Sequence, residues 1–296
     1  MSLIVPGLTN RLDPTKSALI VVDVQNDFVS GSLAVSEAYK IIDPINQFLK
    51  AHPWALKIAT KDWHPSDHIS FASNHPGKSP FVDKITLDNG LEQQLWPVHC
   101  VQHTMGSEFV DGLEHSLFQA IVHKGIDSNM ECYSAFCDAS GKPTIMYQDD
   151  VVDKSLRDGI TSTTFSLRDL LRKLDVTDIF IVGLAGDYCV KSTAIDGAQL
   201  LEAGGGPTNS AHDTQRVCRI WVVKDLTRSV AKKEDMDKIW MTMEKDYPVR
   251  IVEDVNSIPW FVCYHRFYQP VRVNAWTSRH SVPQRTPSSF SPPSPK

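Results

Sequence analysis

Six short, largely apolar runs of residues constrain the fold of this chain more than any other feature. They lie at residues 18–23, 56–60, 120–123, 179–184, 220–223 and 249–252. Uninterrupted apolarity, rather than alternation with polar residues, is typical of strands buried on both faces of a parallel sheet. The runs therefore predict six strands of one buried sheet.

Helical patterns separate several of these strands. Residues 166–174 carry leucines at 167, 170, 171 and 174, the spacing of one helix face. Residues 190–203 follow a candidate cap, Asp187, and stop before three glycines, and residues 232–245 form a third amphipathic segment. This alternation predicts a three-layer α/β/α sandwich with a mainly parallel six-stranded sheet. In such folds ligands bind at the carboxyl ends of the strands, where the strand order reverses.

The composition changes near the end of the chain. We predict one domain over residues 1–255 and a C-terminal extension over residues 256–296, which is rich in Ser and Pro from residue 279 onward and should be disordered there. Residues 204–215 have the composition of a loop.

Composition and charge narrow the function classes. The chain has 296 residues, a formal net charge of −5 and 42 % hydrophobic residues. The acidic balance argues against a nucleic-acid binder, which usually presents a basic face, and favours a small-molecule substrate. No apolar run reaches the roughly 18 residues that suggest a membrane span, and the first residues lack the pattern of a secretory signal.

The cysteines bear on the compartment. The chain has 6 of them, without a CxxC pair or a dense framework. Free thiols in a reducing compartment fit this spacing best, so we expect a cytoplasmic protein. The sequence does not distinguish the cytoplasm from the nucleus or the peroxisome, and it leaves open whether the chain forms a homo-oligomer.

Polar residues gather where the predicted strands end. Asp23 ends the first run, Asp62 and His64 follow the second, Lys124 follows the third, and Cys189 follows the fourth. Each alone is more often a cap, a solvated charge or a small core residue. Together they fall on the edge where this architecture places its active sites, so the pattern predicts catalysis.

Cys189 is the best candidate nucleophile among the cysteines. It precedes the helix predicted from residue 190, and the N–H groups and dipole of a helix start stabilise a thiolate, which should lower the thiol pKa. The same N–H groups can hold a developing oxyanion. Asp23 could accept the thiol proton and return it to a leaving amine, with Lys124 supporting the thiolate.

Asp62 and His64 suggest a metal site. In an extended segment their spacing puts both side chains on one face, and a carboxylate with an imidazole commonly binds Zn²⁺ or a similar ion. Two ligands do not make a site. Spacing alone leaves the third ligand open among the remaining histidines, namely His68, His75, His99 and His103.

Several ordered blocks resemble a known family. They are DVQNDF at 23–28, KDWHP at 61–65, LWPVHCV at 95–101, KG at 124–125, YSAF at 133–136 and GLAGDYCV at 183–190. In this order they resemble the nicotinamidases, most closely the fungal type, within the isochorismatase-like cysteine hydrolase superfamily. The resemblance runs from about residue 17 to residue 254.

The resemblance implies a site and a reaction. It implies a catalytic triad of Asp23, Lys124 and Cys189, and hydrolysis of nicotinamide to nicotinate and ammonia in NAD salvage through a cysteine thioester. The remaining roles follow in the same way: metal ligands Asp62, His64 and His99; ring-binding residues Phe28, Trp96 and Tyr133; and an oxyanion hole from the N–H groups of Ala185, after a cis peptide bond, and Cys189.

The resemblance also implies a divalent metal that holds the pyridine nitrogen of the substrate. Zinc is the ion that we expect, with iron or manganese as alternatives. One departure concerns the nucleophile turn: the family usually has Thr or a larger residue where Gly186 stands, which could loosen that turn. Two other functions stay open, namely another amidase or hydrolase of the superfamily, or a non-catalytic binding protein on the same fold.

Overall fold

A parallel sheet organises the part of the chain that the structure describes. The structure is a computed structural model, and it describes residues 12–87, 89–158, 160–202 and 218–260. The strands in chain order are β1 Ser17–Val22, β2 Leu56–Asp62, β3 Lys84–Thr86, β4 Glu92–Gln94, β5 Ala120–Lys124, β6 Ile145–Tyr147, β7 Thr164–Ser166, β8 Asp178–Gly183, β9 Arg219–Thr227 and β10 Val249–Val252. The α-helices are α1 Asn26–Val29, α2 Ile42–Ala51, α3 Leu167–Lys173, α4 Cys189–Glu202 and α5 Lys233–Asp246.

Within these ranges six strands form one sheet in the order β10-β9-β8-β1-β2-β5, with every neighbouring pair parallel. The chain builds outward from β1 through β2 to β5, and then returns to the other side of β1 with β8. The strand order therefore reverses between β1 and β8, which opens a crevice at their carboxyl ends.

The two faces of the sheet are buried by different helices. On one face the side chains of Ala18 and Ile20 in β1 pack in a cluster with α3, α4 and α5. On the other face Leu19 and Val21 pack in a cluster with α1 and α2. This alternation explains the continuous apolar runs and confirms the three-layer α/β/α class.

The predicted main-sheet strands and the three predicted helices are confirmed, with ends that shift by a few residues. Helix α2 and the antiparallel hairpins β3-β4 and β6-β7 were not predicted. Each hairpin strand has only three residues, too few to give a clear strand pattern in the sequence. Pro44 lies inside α2, in the first turn, where proline is tolerated because its missing N–H would have no helical partner.

The predicted domain boundary at 255 stays a prediction. The described residues all belong to one compact unit, in which Trp260 pairs with Leu12 through a β-bridge. The predicted loop at 204–215 and the extension beyond residue 260 lie outside the described residues.

Gly183 allows β1 and β8 to approach closely, because it has no Cβ. Its φ is +112°, and an added Cβ would lie 2.2 Å from the carbonyl oxygen of Val22. We expect Gly183→Ala to lower the free energy of unfolding by roughly 2–5 kcal/mol, because positive φ costs about 1–2 kcal/mol and overpacking about 1–3 kcal/mol. Urea unfolding followed by circular dichroism measures the loss.

Gly90→Ala is the matched control for that variant. Gly90 has a φ of +83°, but no atom of the described residues lies within 4 Å of its added Cβ. Only the backbone cost should remain there. Equal losses in the two variants would contradict the role of the close approach to Val22.

Candidate active site

Buried polar side chains meet where four strands of the main sheet end. Asp23 follows β1, Asp62 ends β2, Lys124 ends β5, and Cys189 begins α4 shortly after β8. All four are at most 5 % exposed. The structure thus brings together, at the crevice beside β1 and β8, the side chains that the sequence places at strand ends.

Lys124 is the cation at the centre of this cluster. Its Nζ lies 2.7 Å from Asp23 Oδ2 and 3.4 Å from Cys189 Sγ, and it also contacts Asp62 Oδ1. Burial alone would lower the pKa of Lys124, but Asp23 and Asp62 raise it well above its ordinary value. Lys124 is therefore a fixed cation rather than a proton donor.

The two carboxylates beside Lys124 behave differently. Burial raises the pKa of Asp23 to about 6, although Lys124 lowers it. Burial acts the same way on Asp62, but Lys124 and His64 outweigh it and hold the pKa of Asp62 well below its ordinary value. Neighbouring acids whose pKa values are pushed apart in this way have different roles in a reaction. Asp62 stays ionised, whereas Asp23 can exchange a proton near neutral pH.

Two residues missed at the level of sequence hold these acids in place. Thr60 Oγ1 donates to Asp23 Oδ1 at 2.5 Å and accepts from the Asp23 N–H at 3.1 Å. The side-chain amide of Gln25 accepts from the Asp62 N–H at 2.9 Å and donates to the Asp62 carbonyl at 2.8 Å. The Gln25 side chain thus makes the two hydrogen bonds to the Asp62 backbone that a neighbouring strand would otherwise make. Its position inside the 23–28 block is the one signal that could have identified it.

Asp62, His64 and His99 direct donor atoms to one point. Asp62 Oδ2 lies 3.6 Å from His64 Nε2 and 3.8 Å from His99 Nε2. The Nδ1 atoms lie 2.9 Å from the Gly125 carbonyl for His64 and 2.8 Å from the Pro97 carbonyl for His99. Because a carbonyl only accepts, each Nδ1 carries a proton, and each Nε2 is the nitrogen left to bind a metal.

This donor set fits a divalent first-row metal. One carboxylate and two neutral imidazoles are common ligands of zinc and related ions. His64 Nε2 is buried and has no hydrogen-bond partner among the described residues, as expected of a metal-binding nitrogen. Of the four histidines that spacing leaves open, His99 is the one that joins Asp62 and His64 in this cluster.

Aromatic rings line the cavity that leads to Cys189. The indole N–H of Trp96 donates to Tyr133 Oη at 2.9 Å, and Phe28 meets the His99 ring edge-on with 5.5 Å between centroids. Tyr188, which the sequence did not single out, contacts Trp96 at 4.9 Å between ring centroids. All the predicted ring-binding residues line this one cavity, together with Cys189 and Ala185.

The turn that precedes Cys189 packs against the loop after β9. The peptide bond between Leu184 and Ala185 is cis, in the position that the resemblance implies. The Gly186 N–H donates at 2.8 Å to the carbonyl of Arg228, and a Cβ on Gly186 would lie 2.3 Å from Ser229 Oγ. Glycine at this position therefore lets the two loops pack closely, and the effect of Gly186 on the rigidity of the turn stays a prediction.

Two expectations for this turn are wrong. Asp187 was expected to cap α4, but its carboxylate accepts hydrogen bonds from the N–H groups of Val230 at 3.0 Å and Ala231 at 2.8 Å. The pKa of the Cys189 thiol was expected to fall, but burial raises it well above its ordinary value despite Lys124. The nearby carboxylates add to that rise, so Cys189 rests as a thiol and would need a base to act as the predicted nucleophile.

Curated relatives of this chain are nicotinamidases. No protein-family model matches it. A nicotinamidase from Acinetobacter baylyi is 43 % identical over 183 residues, which cover 62 % of this chain and 74 % of that protein. A nicotinamidase from Saccharomyces cerevisiae is 37 % identical over 195 residues, which cover 62 % of this chain and 81 % of that protein.

Solved structures give the same result. A nicotinamidase and pyrazinamidase from Acinetobacter baumannii matches with a TM-score of 0.64 at 33 % identity, covering 82 % of this chain and 98 % of that chain. Yeast nicotinamidase bound to the inhibitor nicotinaldehyde matches with a TM-score of 0.63 at 31 % identity, covering 80 % of this chain and 100 % of that chain. A pyrazinamidase from Pyrococcus horikoshii in complex with zinc matches with a TM-score of 0.53 at 28 % identity, covering 80 % of this chain and 99 % of that chain.

The family expected from the sequence blocks is therefore confirmed, and the parallel six-stranded sheet agrees with the fold of these relatives. The chain belongs to the nicotinamidase family and has the isochorismatase-like hydrolase fold.

Proposed function

We propose that this chain is an enzyme that hydrolyses nicotinamide to nicotinate and ammonia, a step of NAD salvage. The observation that carries the proposal is the meeting of Asp23, Lys124 and Cys189 with a metal-type donor set in one aromatic-lined cavity. The neighbour from yeast was solved with nicotinaldehyde, which supports a pyridine ring in the corresponding cavity.

Binding uses the aromatic side chains and the metal-type donors. Phe28, Trp96 and Tyr133 offer faces and edges for a flat heteroaromatic ring. A divalent ion held by Asp62, His64 and His99 would supply a Lewis acid for the ring nitrogen. These contacts place the carboxamide next to Cys189.

The first half of the reaction forms a thioester. Asp23 accepts the thiol proton, and the Cys189 sulfur bonds to the carboxamide carbon. Negative charge then develops on the carboxamide oxygen, and we propose that the N–H groups of Ala185 and Cys189 stabilise it. The C–N bond breaks as Asp23 returns its proton to the leaving nitrogen, so ammonia departs.

The second half regenerates the thiol. Asp23 accepts a proton from the incoming water, whose oxygen bonds to the thioester carbon. The C–S bond breaks, and the sulfur takes the proton back from Asp23. Lys124 keeps its charge throughout and stabilises whichever of Asp23 and Cys189 is anionic.

The alternatives that the sequence left open are less well supported. A non-catalytic binding protein would have no use for a thiol, a base and a buried cation in mutual contact. The metal-type donor set favours a nicotinamidase over superfamily hydrolases that lack such a site. We propose zinc as the metal, since the Pyrococcus horikoshii relative was solved with it.

No helix among the described residues is long and apolar enough to cross a bilayer. Five cysteines of the described ranges carry free thiols, which supports our proposal of a cytoplasmic location.

Replacing the nucleophile should abolish turnover. Cys189→Ala is expected to lower ammonia release from nicotinamide by more than about a thousandfold, because no other group can form the thioester. Cys218→Ala removes a buried thiol just before β9 and should keep the activity, which makes it the control. Equal ammonia release by wild type and Cys189→Ala would refute the mechanism.

Activity should decline in acid. Because Asp23 must be ionised to accept the thiol proton and its pKa is raised to about 6, kcat/KM should be lost as the pH falls through that value. Thr60→Val removes a hydrogen bond that lowers the pKa of Asp23, so its midpoint should move to higher pH. Initial rates of ammonia release across pH, with metal in excess, measure the midpoint.

Thr242→Val serves as the control for the pH experiment. Thr242 is exposed on α5 and donates to the carbonyl of Lys238, away from the cavity. Its midpoint should equal that of the wild type. If Thr60→Val also leaves the midpoint in place, Asp23 is not the group that titrates.

The metal site makes its own prediction. Wild type should retain about one divalent ion per chain, as a three-ligand catalytic site does, and His99→Ala should retain almost none. Elemental analysis after gel filtration measures the content. His75→Ala, which loses only a hydrogen bond to the Ile69 carbonyl, should keep the ion. Absence of metal from the wild type would favour another superfamily hydrolase.

A further inference from the structure

A buried carboxylate that the mechanism does not use lies behind the metal-type donors. Glu131 is 2 % exposed, and its carboxylate forms a compact group with the side-chain donors of His64 and His68, all within 4.8 Å of one another. The rings of His64 and His68 stack with 4.0 Å between centroids. Glu131 is therefore a close neighbour of the metal site through a ligand of that site.

Glu131 has few partners for a buried anion. One carboxylate oxygen accepts from the Cys132 N–H at 2.9 Å, and the other accepts from the Gln93 side chain at a long 3.4 Å. In the described part of the chain, no lysine, arginine or histidine nitrogen forms an ion pair with Glu131. A buried carboxylate is costly unless a cation compensates for it.

The buried groups around the cavity carry a net negative charge that such a cation would balance. Asp23, Asp62 and Glu131 are buried carboxylates, and Lys124 is the buried ammonium among them. With all three acids ionised, one positive charge faces three negative charges, a deficit that a single divalent ion would cancel.

Glu131, His64 and His68 do not form a second metal site of their own. His68 Nδ1 lies 2.7 Å from Ser70 Oγ and its Nε2 lies 3.3 Å from the Met130 carbonyl. His64 has one nitrogen on the Gly125 carbonyl and directs the other toward Asp62. A second ion would find only the Glu131 carboxylate free to bind it.

We infer that Glu131 is a positioning residue of the metal site, an outer carboxylate that raises the affinity for a divalent cation without being a ligand. The inference rests on the metal site proposed above. The negative charge of Glu131 should have two effects of opposite sign. It strengthens metal binding, and it destabilises the protein when no metal is bound. A carboxylate with a purely structural role would show only losses.

Glu131→Gln is the test, because it removes the charge and keeps the shape and an acceptor for the Cys132 N–H. Zinc-loaded protein is titrated with a chromophoric chelator, and the zinc transferred gives the dissociation constant. We expect Glu131→Gln to bind zinc roughly 10- to 100-fold more weakly, the usual effect of residues that support metal ligands. In excess chelator its melting temperature should equal or exceed that of the wild type.

Two further variants complete the design. Glu131→Asp keeps the charge and should retain most of the affinity. Asp127→Asn removes one negative charge from an exposed position in the same loop and should bind zinc like the wild type.

Three outcomes overturn the inference. One is unchanged zinc affinity in Glu131→Gln, and another is weaker binding accompanied by a lower melting temperature in excess chelator. The third is an equal loss of affinity in Asp127→Asn. A wild-type protein that binds no zinc would instead remove the proposed metal site itself, so the two failures are distinguishable.

Discussion

The buried ammonium of Lys124 is the interaction on which the rest of the site depends. In the parallel ladder between β2 and β5, Asp62 and Lys124 are direct partners, and Asp23 reaches the same ammonium from the end of β1. Without this cation two carboxylates would face each other in a buried cluster. Loss of one partner of a buried ion pair typically costs about 3–5 kcal/mol, because the remaining charge is left uncompensated.

The sheet explains why these groups can meet at all. Parallel strands end at one edge, so residues far apart in sequence project into the same crevice, and the reversal of strand order beside β1 keeps helices from covering it. The loops then supply what the strands cannot. Gln25 supports Asp62 where β1 has already ended, and the loop after β9 holds the nucleophile turn through Asp187 and Gly186.

Much of this arrangement was predictable from the sequence, and the limits have physical causes. Continuous apolar runs predicted the central strands, and polar residues at their ends predicted Asp23, Lys124 and Cys189 as neighbours. Spacing could not choose His99, because its loop reaches Asp62 only through tertiary folding. Glu131 and Gln25 were missed for a related reason: their roles depend on burial and on partners distant in sequence, neither of which a local pattern records.

The raised pKa of the Cys189 thiol changes how the nucleophile is activated. A helix start and a nearby lysine favour a thiolate, but here burial and two carboxylates outweigh them. A neutral thiol spares the cluster another negative charge.

When the proton moves from Cys189 to Asp23, one anion replaces another beside the same ammonium, so the net charge around Lys124 does not change. The raised pKa of Asp23, about 6, makes that exchange easier and leaves the proton ready for the departing ammonia. In the proposed reaction, activation is thus an internal proton transfer beside a fixed cation, not the storage of a low-pKa thiolate.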